Sequence, residues 1–287
     1  MQGQPQQQAY DRGITIFSPD GRLYQVEYAR EAVKRGTASI GVRTPEGVVL
    51  AADKRSRSPL MEPESVEKIH KADAHIGIAS AGHVADARQL IDFARREAQI
   101  NRLRYGEPMG IETITKTVTD HIQQYTQIGG ARPFGVALIV AGVADGTPRL
   151  FETDPSGTPY EWKALSIGSK RGEIRDYLEE HYTDELSLDD GVALALEALE
   201  EVSSDEGLEP DGVSVATIDV DTEQFEEWSV ERLESTLEAH DLLAVEEPDD
   251  GMANTNDEDD EDVESDEDVE SDEDGESDED GESDVDE

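Results

Sequence analysis

Side chains able to act as acids, bases, nucleophiles or ligands are plentiful in this sequence, but few are spaced for chemistry. The six histidines, His70, His75, His83, His121, His181 and His240, are dispersed and show no metal-ligand spacing. They are expected to be surface or packing residues. Cysteine is absent, which excludes disulfides, thiolate metal sites and thiol nucleophiles. Gly168-Ser169-Lys170 opens a helical stretch without the upstream glycine spacing of a phosphate loop, so Ser169 is expected to cap that helix. The patterns GxGxxG after a strand, GxSxG and HExxH are missing too. No cofactor and no metal are expected.

Carboxylate is what the chain holds in excess. Its 287 residues carry 70 acids and 24 bases, a formal net charge of -46. Residues 245–287 hold 26 of the acids and none of the bases, which leaves 44 acids against 24 bases in the other 244 residues. Binding to nucleic acid through phosphates needs Lys and Arg, so no nucleic-acid partner is expected. In dilute salt such a surface repels itself. At molar salt the Debye length falls to ~3 Å and the repulsion is screened, so the composition points to a cell with very high internal salt. No stretch approaches the ~20 apolar residues of a membrane span. The start, Met1-Gln2-Gly3-Gln4-Pro5, lacks the basic-then-apolar build of a secretory signal. A cytoplasmic location without membrane contact is expected.

The elements that must position any site fall into three segments. Residues 1–12 form a polar, Gln-rich arm; residues 13–244 form the folded body; residues 245–287 form an acidic tail. The tail repeats VESDED, VESDED, GESDED and GESDVD from Val263 onward and has nothing to bury, so disorder is expected there. In the body, Pro19-Asp20-Gly21 is turn chemistry, and residues 22–34 read as a helix with Leu23, Val26, Arg30 and Val33 near one face. Period-two or apolar runs predict strands over 37–42, 47–53, 74–80, 136–143, 149–153, 160–167 and 213–220. Helices are predicted over 85–104, 111–125, 170–182, 189–202 and 230–240. Strands and helices in such blocks suggest mainly antiparallel sheets packed on each other with helix layers outside.

The segment YDRGITIFSPDGRLYQVEYA from Tyr10 to Ala29 closely resembles the N-terminal signature of proteasome alpha-type subunits, archaeal in type. Val66-Glu67-Lys68-Ile69, Val84-Ala85-Asp86-Ala87-Arg88, Gln123-Gln124-Tyr125-Thr126-Gln127 and Gly129-Gly130-x-Arg132-Pro133-x-Gly135 extend the likeness. It spans roughly residues 10–243, and the acidic repeats lie outside it. The resemblance implies an α+β fold, a four-layer αββα sandwich of the N-terminal nucleophile hydrolase type, with two packed, mainly antiparallel sheets between helix layers. It also implies a non-catalytic subunit of a heptameric ring, with other alpha subunits, proteasome beta subunits and a proteasome-activating AAA ATPase as partners and unfolded proteins as substrates.

Roles for single residues follow from the same resemblance. Tyr10, Asp11, Pro19 and Tyr28 match the cluster that sets the conformation of a gating arm. Lys68 matches the lysine that meets the terminal carboxylate of an activator's tail, Gly82 the glycine that lets that tail's backbone approach, and Glu27 is expected near Lys68. A competing possibility is a self-processed threonine hydrolase. Gly36-Thr37, Asp53 and Lys68 roughly match the beta family's cleavage site, acid and lysine. Cleavage there would discard the signature and the helix with its apolar face, and an uncleaved Thr37 has no free amine to serve as base. A stand-alone acidic binding protein is the other alternative, and it would be monomeric.

Overall fold

The computed structural model describes residues 17, 21–54, 58, 60–127, 131–203 and 207–244. The arm, Tyr10, Asp11, Pro19 and the acidic repeats lie outside the described residues. The first described helix, α1 (Tyr24–Lys34), buries Val26, Ala29 and Val33 and packs against the second of the sheets below.

Sheet one contains β1 (Ser39–Thr44), β2 (Gly47–Asp53), β8 (Ala164–Ile167), β9 (Val213–Asp219) and β10 (Phe225–Glu227), in the order β10-β9-β2-β1-β8. Sheet two contains β3 (Ile69–Asp73), β4 (Ile76–Gly82), β5 (Val136–Ala144), β6 (Thr147–Thr153) and β7 (Pro159–Glu161), in sequence order. Every pairing is antiparallel. Alternation along each strand builds the layers. In β2, Val49 and Ala51 face a helix layer, while Val48, Leu50 and Ala52 face the other sheet. In β5, Leu138 and Val140 point to helices, and Ile139 and Ala141 point between the sheets. Gly41 shows how close the sheets lie: a Cβ there would sit 2.7 Å from Leu150 Cδ1.

Helices α4 (Arg171–His181), α5 (Leu188–Glu200) and α6 (Val230–Ala239) share one core with the outer face of sheet one. Helices α2 (Val84–Tyr105) and α3 (Ile111–Gln127) share another with the outer face of sheet two. The result is the expected αββα sandwich. Local chemistry sets several boundaries. Ser187 and Asp190 form a capping box at the start of α5, and Gly106, at φ 77°, closes α2 in the left-handed conformation.

The structure corrects three expectations. The stretch 160–167 is not one strand. The chain leaves sheet two after β7, and Trp162 N–H donates to Leu150 O while Arg43 N–H donates to Lys163 O, so β8 begins in the other sheet. The short strands β3 and β10 were not foreseen, because IHKAD and FEE are too brief and polar to show a period. Ser169 does not cap α4. The N-cap is Lys170, at φ 52° with no side-chain cap, and Ser169 N–H donates instead to Gly36 O at 2.8 Å.

Candidate functional site

At one end of the sandwich several chain crossings meet backbone to backbone. Gly36, between α1 and β1, lies so close to the end of β4 that a Cβ would come within 2.4 Å of Gly82 N. Gly82 has φ 119°, and a Cβ there would meet Gly135 O at 2.3 Å; only glycine suits that conformation and that contact. His83 N–H donates to Gly135 O at 2.9 Å. These crossings form the floor of a groove of 1030 Å³ lined by Gly36, Thr37, Lys68, Gly82, Val84 and Arg88, among others. Met61, Val66 and Val84 supply apolar wall, and Lys54, Lys68 and Arg88 supply cations against one acid, Asp92. In a chain where acids outnumber bases almost three to one, that local balance is inverted.

Lys68 immediately precedes β3, and Ser80 N–H donates to its carbonyl at 3.1 Å, continuing the ladder to β4. The unforeseen strand is thus what positions it. The residue is nearly buried, 9 % exposed, and its Nζ donates to Thr37 O at 3.2 Å. Lys68 and Gly82 therefore line one groove. Tyr28 lines an adjoining 440 Å³ hollow with Glu31, Ala32 and Arg35, and the two hollows share Gly36, Gly82 and His83. Glu27 lies one residue before Tyr28 on α1 and accepts from Arg30 Nη1 at 2.7 Å. Arg30 in turn holds Asp154 at 2.7 Å through Nη2, so the Glu27 carboxylate joins a chain of charges leading to the end of β6. Tyr10, Asp11 and Pro19 lie outside the described residues.

A clamp at the start of α2 is not visible from spacing. Asp86, on the first turn of α2, accepts from Arg132 Nη1 and Nη2 at 2.6 and 2.7 Å and from Gly135 N–H at 2.8 Å. Burial pushes this carboxyl up, but the Arg132 and Gly135 bonds outweigh it and hold the pKa below the usual value. The clamp ties the start of α2 to the loop entering β5. Both segments carry family-like residues, yet nothing in the sequence joins them.

Thr37 is held as an ordinary chain residue. Its hydroxyl donates to Asp53 O at 2.6 Å, and the preceding helix is anchored by Val26, Ala29 and Val33. Among the described residues no cluster of His, Asp and Glu is placed to hold a metal ion, and no helix is long and apolar enough to cross a membrane.

Comparison with known proteins agrees with the signature. The family model described as proteasome subunit matches residues 33–218, and the model of the proteasome A-subunit N-terminal signature matches residues 10–32. The chain is 78% identical over 247 residues to the alpha 1 proteasome subunit of Haloferax volcanii, covering 86% of this chain and 98% of that protein. It is 72% identical over 261 residues to the alpha 1 proteasome subunit of Haloarcula marismortui, covering 91% of this chain and all of that protein. The alpha proteasome subunit of Haloquadratum walsbyi is 72% identical over 249 residues, or 87% and 99% of the two chains. With the alpha-type signature at its start and the subunit fold behind it, the chain belongs to the alpha subunits of the proteasome family, in their haloarchaeal form.

Proposed function

We propose that this chain forms the gated axial entrance of a proteasome core particle and the surface on which an ATPase activator docks. Being of the alpha type, it is a non-catalytic ring component, with hydrolysis residing in beta subunits. The finer assignments are ours. Seven copies would make each ring, in the cytoplasm of a high-salt cell. Residues 1–12 would stand in the pore, held by Tyr10, Asp11, Pro19 and Tyr28. Unfolded proteins would pass once an activator's tails had seated between neighbouring subunits.

The observation that carries the docking role is Lys68: a nearly buried ammonium lining a groove whose floor is bare backbone at Gly36 and Gly82. A terminal carboxylate entering such a cleft loses water, so a fixed cation there is worth more than on open surface. Removing it should cost about 1.5–3 kcal/mol for each charge-assisted contact, and several pockets engage one activator ring together. The test is the core particle carrying Lys68→Ala, assayed for ATP-dependent degradation of an unfolded protein beside basal cleavage of a short peptide. ATP-dependent degradation should collapse while rings and basal cleavage persist. Undiminished ATP-dependent degradation would sink the docking role.

A further inference from the structure

Bases are scarce in this molecule, and most side chains that carry them are engaged. Arg30, Arg102, Arg132, Arg149 and Arg171 each hold a carboxylate within 3.1 Å. Three bases around the groove behave differently. Lys54 and Arg88 line the main groove, and Arg35 lines its extension beside Tyr28. Among the described residues, none of these three side chains has a hydrogen-bond or ion-pair partner. Lys71 and Arg104, outside the groove and its extension, also have none, but they stand singly, whereas three gather here. The acids on the same walls are already taken: Asp92 accepts from Arg95 at 3.3 Å and Glu31 from Lys34 at 2.6 Å. With 70 acids to draw on, cations left unpaired around a single groove are charge held available for a ligand. One terminal carboxylate needs only Lys68.

We infer that the groove selects a tail that is acidic as well as carboxylate-terminated, with Asp or Glu side chains among the residues just before its end, set against Arg88, Lys54 and Arg35. This rests on the docking function proposed above and adds the chemical class of the docking partner. Screening at molar salt, with a Debye length of ~3 Å, removes long-range attraction. Discrimination must therefore come from contact, for which the planar guanidinium groups of Arg35 and Arg88 offer paired donors to a carboxylate. The net-negative remainder of the surface offers the same tail no such contact. An acidic tail thus gains only where these cations stand, and specificity arises from direct ion pairing in the groove.

The test uses the full-length chain assembled with its beta partner in molar KCl. The probes are fluorescent C-terminal peptides, identical except for Glu or Gln at the positions preceding the end, and an amidated form of the Glu peptide. The Glu peptide should bind about fivefold or more tightly than the Gln peptide, a ratio in the range of exposed ion pairs acting together. The ratio should fall to about one in particles carrying Arg35→Ala, Lys54→Ala and Arg88→Ala, and should reverse with Arg88→Glu. All of these positions are on the groove's surface, and size-exclusion chromatography verifies that rings persist. Equal binding of the Glu and Gln peptides by the unaltered particle, or a preference that survives the triple substitution, overturns the inference while leaving docking itself intact. Binding that ignores both C-terminal amidation and Lys68→Ala overturns the docking function instead.

Discussion

At Asp86 a single carboxylate gathers Arg132 and the Gly135 amide from 46 and 49 residues away. Its folded pKa lies below the usual carboxylate value. A carboxyl depressed on folding contributes stability that is present above its unfolded pKa of ~4 and is lost as pH falls through the folded value. Asp86→Asn keeps an acceptor for Gly135 but loses the charge. It should cost about 1.5–3 kcal/mol near neutrality, and the gap from the parent should close as pH falls below the ordinary carboxylate range and through the depressed folded value. Urea midpoints in molar KCl measure this, and a gap independent of pH would contradict it. Gly82→Ala is expected to be worse tolerated than its small volume suggests. The backbone conformation alone costs about 1–3 kcal/mol for a non-glycine residue, and the clash with Gly135 O adds to it. Loss of soluble rings is the outcome to look for. At this scale the sequence was partly legible. Resemblance singled out Lys68 and Gly82, which line one groove, whereas Arg35, Lys54 and Arg88 converge only through folding and leave no spacing to read.

Elements were legible in proportion to their length and periodicity. Helix α3 announces itself through Ile111, Ile114, Val118 and Ile122, all buried, at spacings of three and four. Strand β2 was placed correctly because its apolar run is bounded by turn residues on one side. The failures are physical too. A period-two pattern specifies that a chain is extended, not which sheet it joins, so β7 and β8 merged into one. Whether α1 anchors a gate is open to a direct measurement. Deleting residues 1–11 leaves Val26, Ala29 and Val33 in place, so rings should assemble. Peptide hydrolysis without activator should rise severalfold if those residues obstruct the pore. Unchanged basal rates would count against gating.

Over the whole molecule, charge sets the working conditions. With 44 acids against 24 bases in residues 1–244, self-repulsion should dominate at low ionic strength and fade as the Debye length shrinks from ~10 Å at 0.1 M to ~3 Å at 1 M salt. The melting midpoint is therefore expected to climb steeply with KCl across this range, and a salt-independent midpoint would refute the high-salt adaptation. Truncation after Ala244 removes 26 acids and no bases. It should leave ring assembly and peptidase activity of the particle unchanged and lower solubility as salt falls. Lost assembly would show that residues 245–287 do more than solubilise.

The two sheets also differ in when they can exist. Sheet two runs β3-β4-β5-β6-β7 in chain order, so each strand can pair with its predecessor as soon as it leaves the ribosome. Sheet one cannot: β1 waits for β8, with Ile40 against Ser166, and β2 waits for β9, with Val49 against Thr217. Long-range pairing of this kind is slow, because distant ends must be brought together before any contact rewards it. The β1–β2 hairpin, though made first, therefore has both edges unpaired until β8 (Ala164–Ile167) emerges, and the β2 edge open until β9 (Val213–Asp219) follows. That is the interval in which strand edges recruit the wrong neighbours. Birth order thus makes the earliest strands the last to be protected, and a nascent chain stalled before Val213 would be the form of this protein most exposed to aggregation and most dependent on a chaperone.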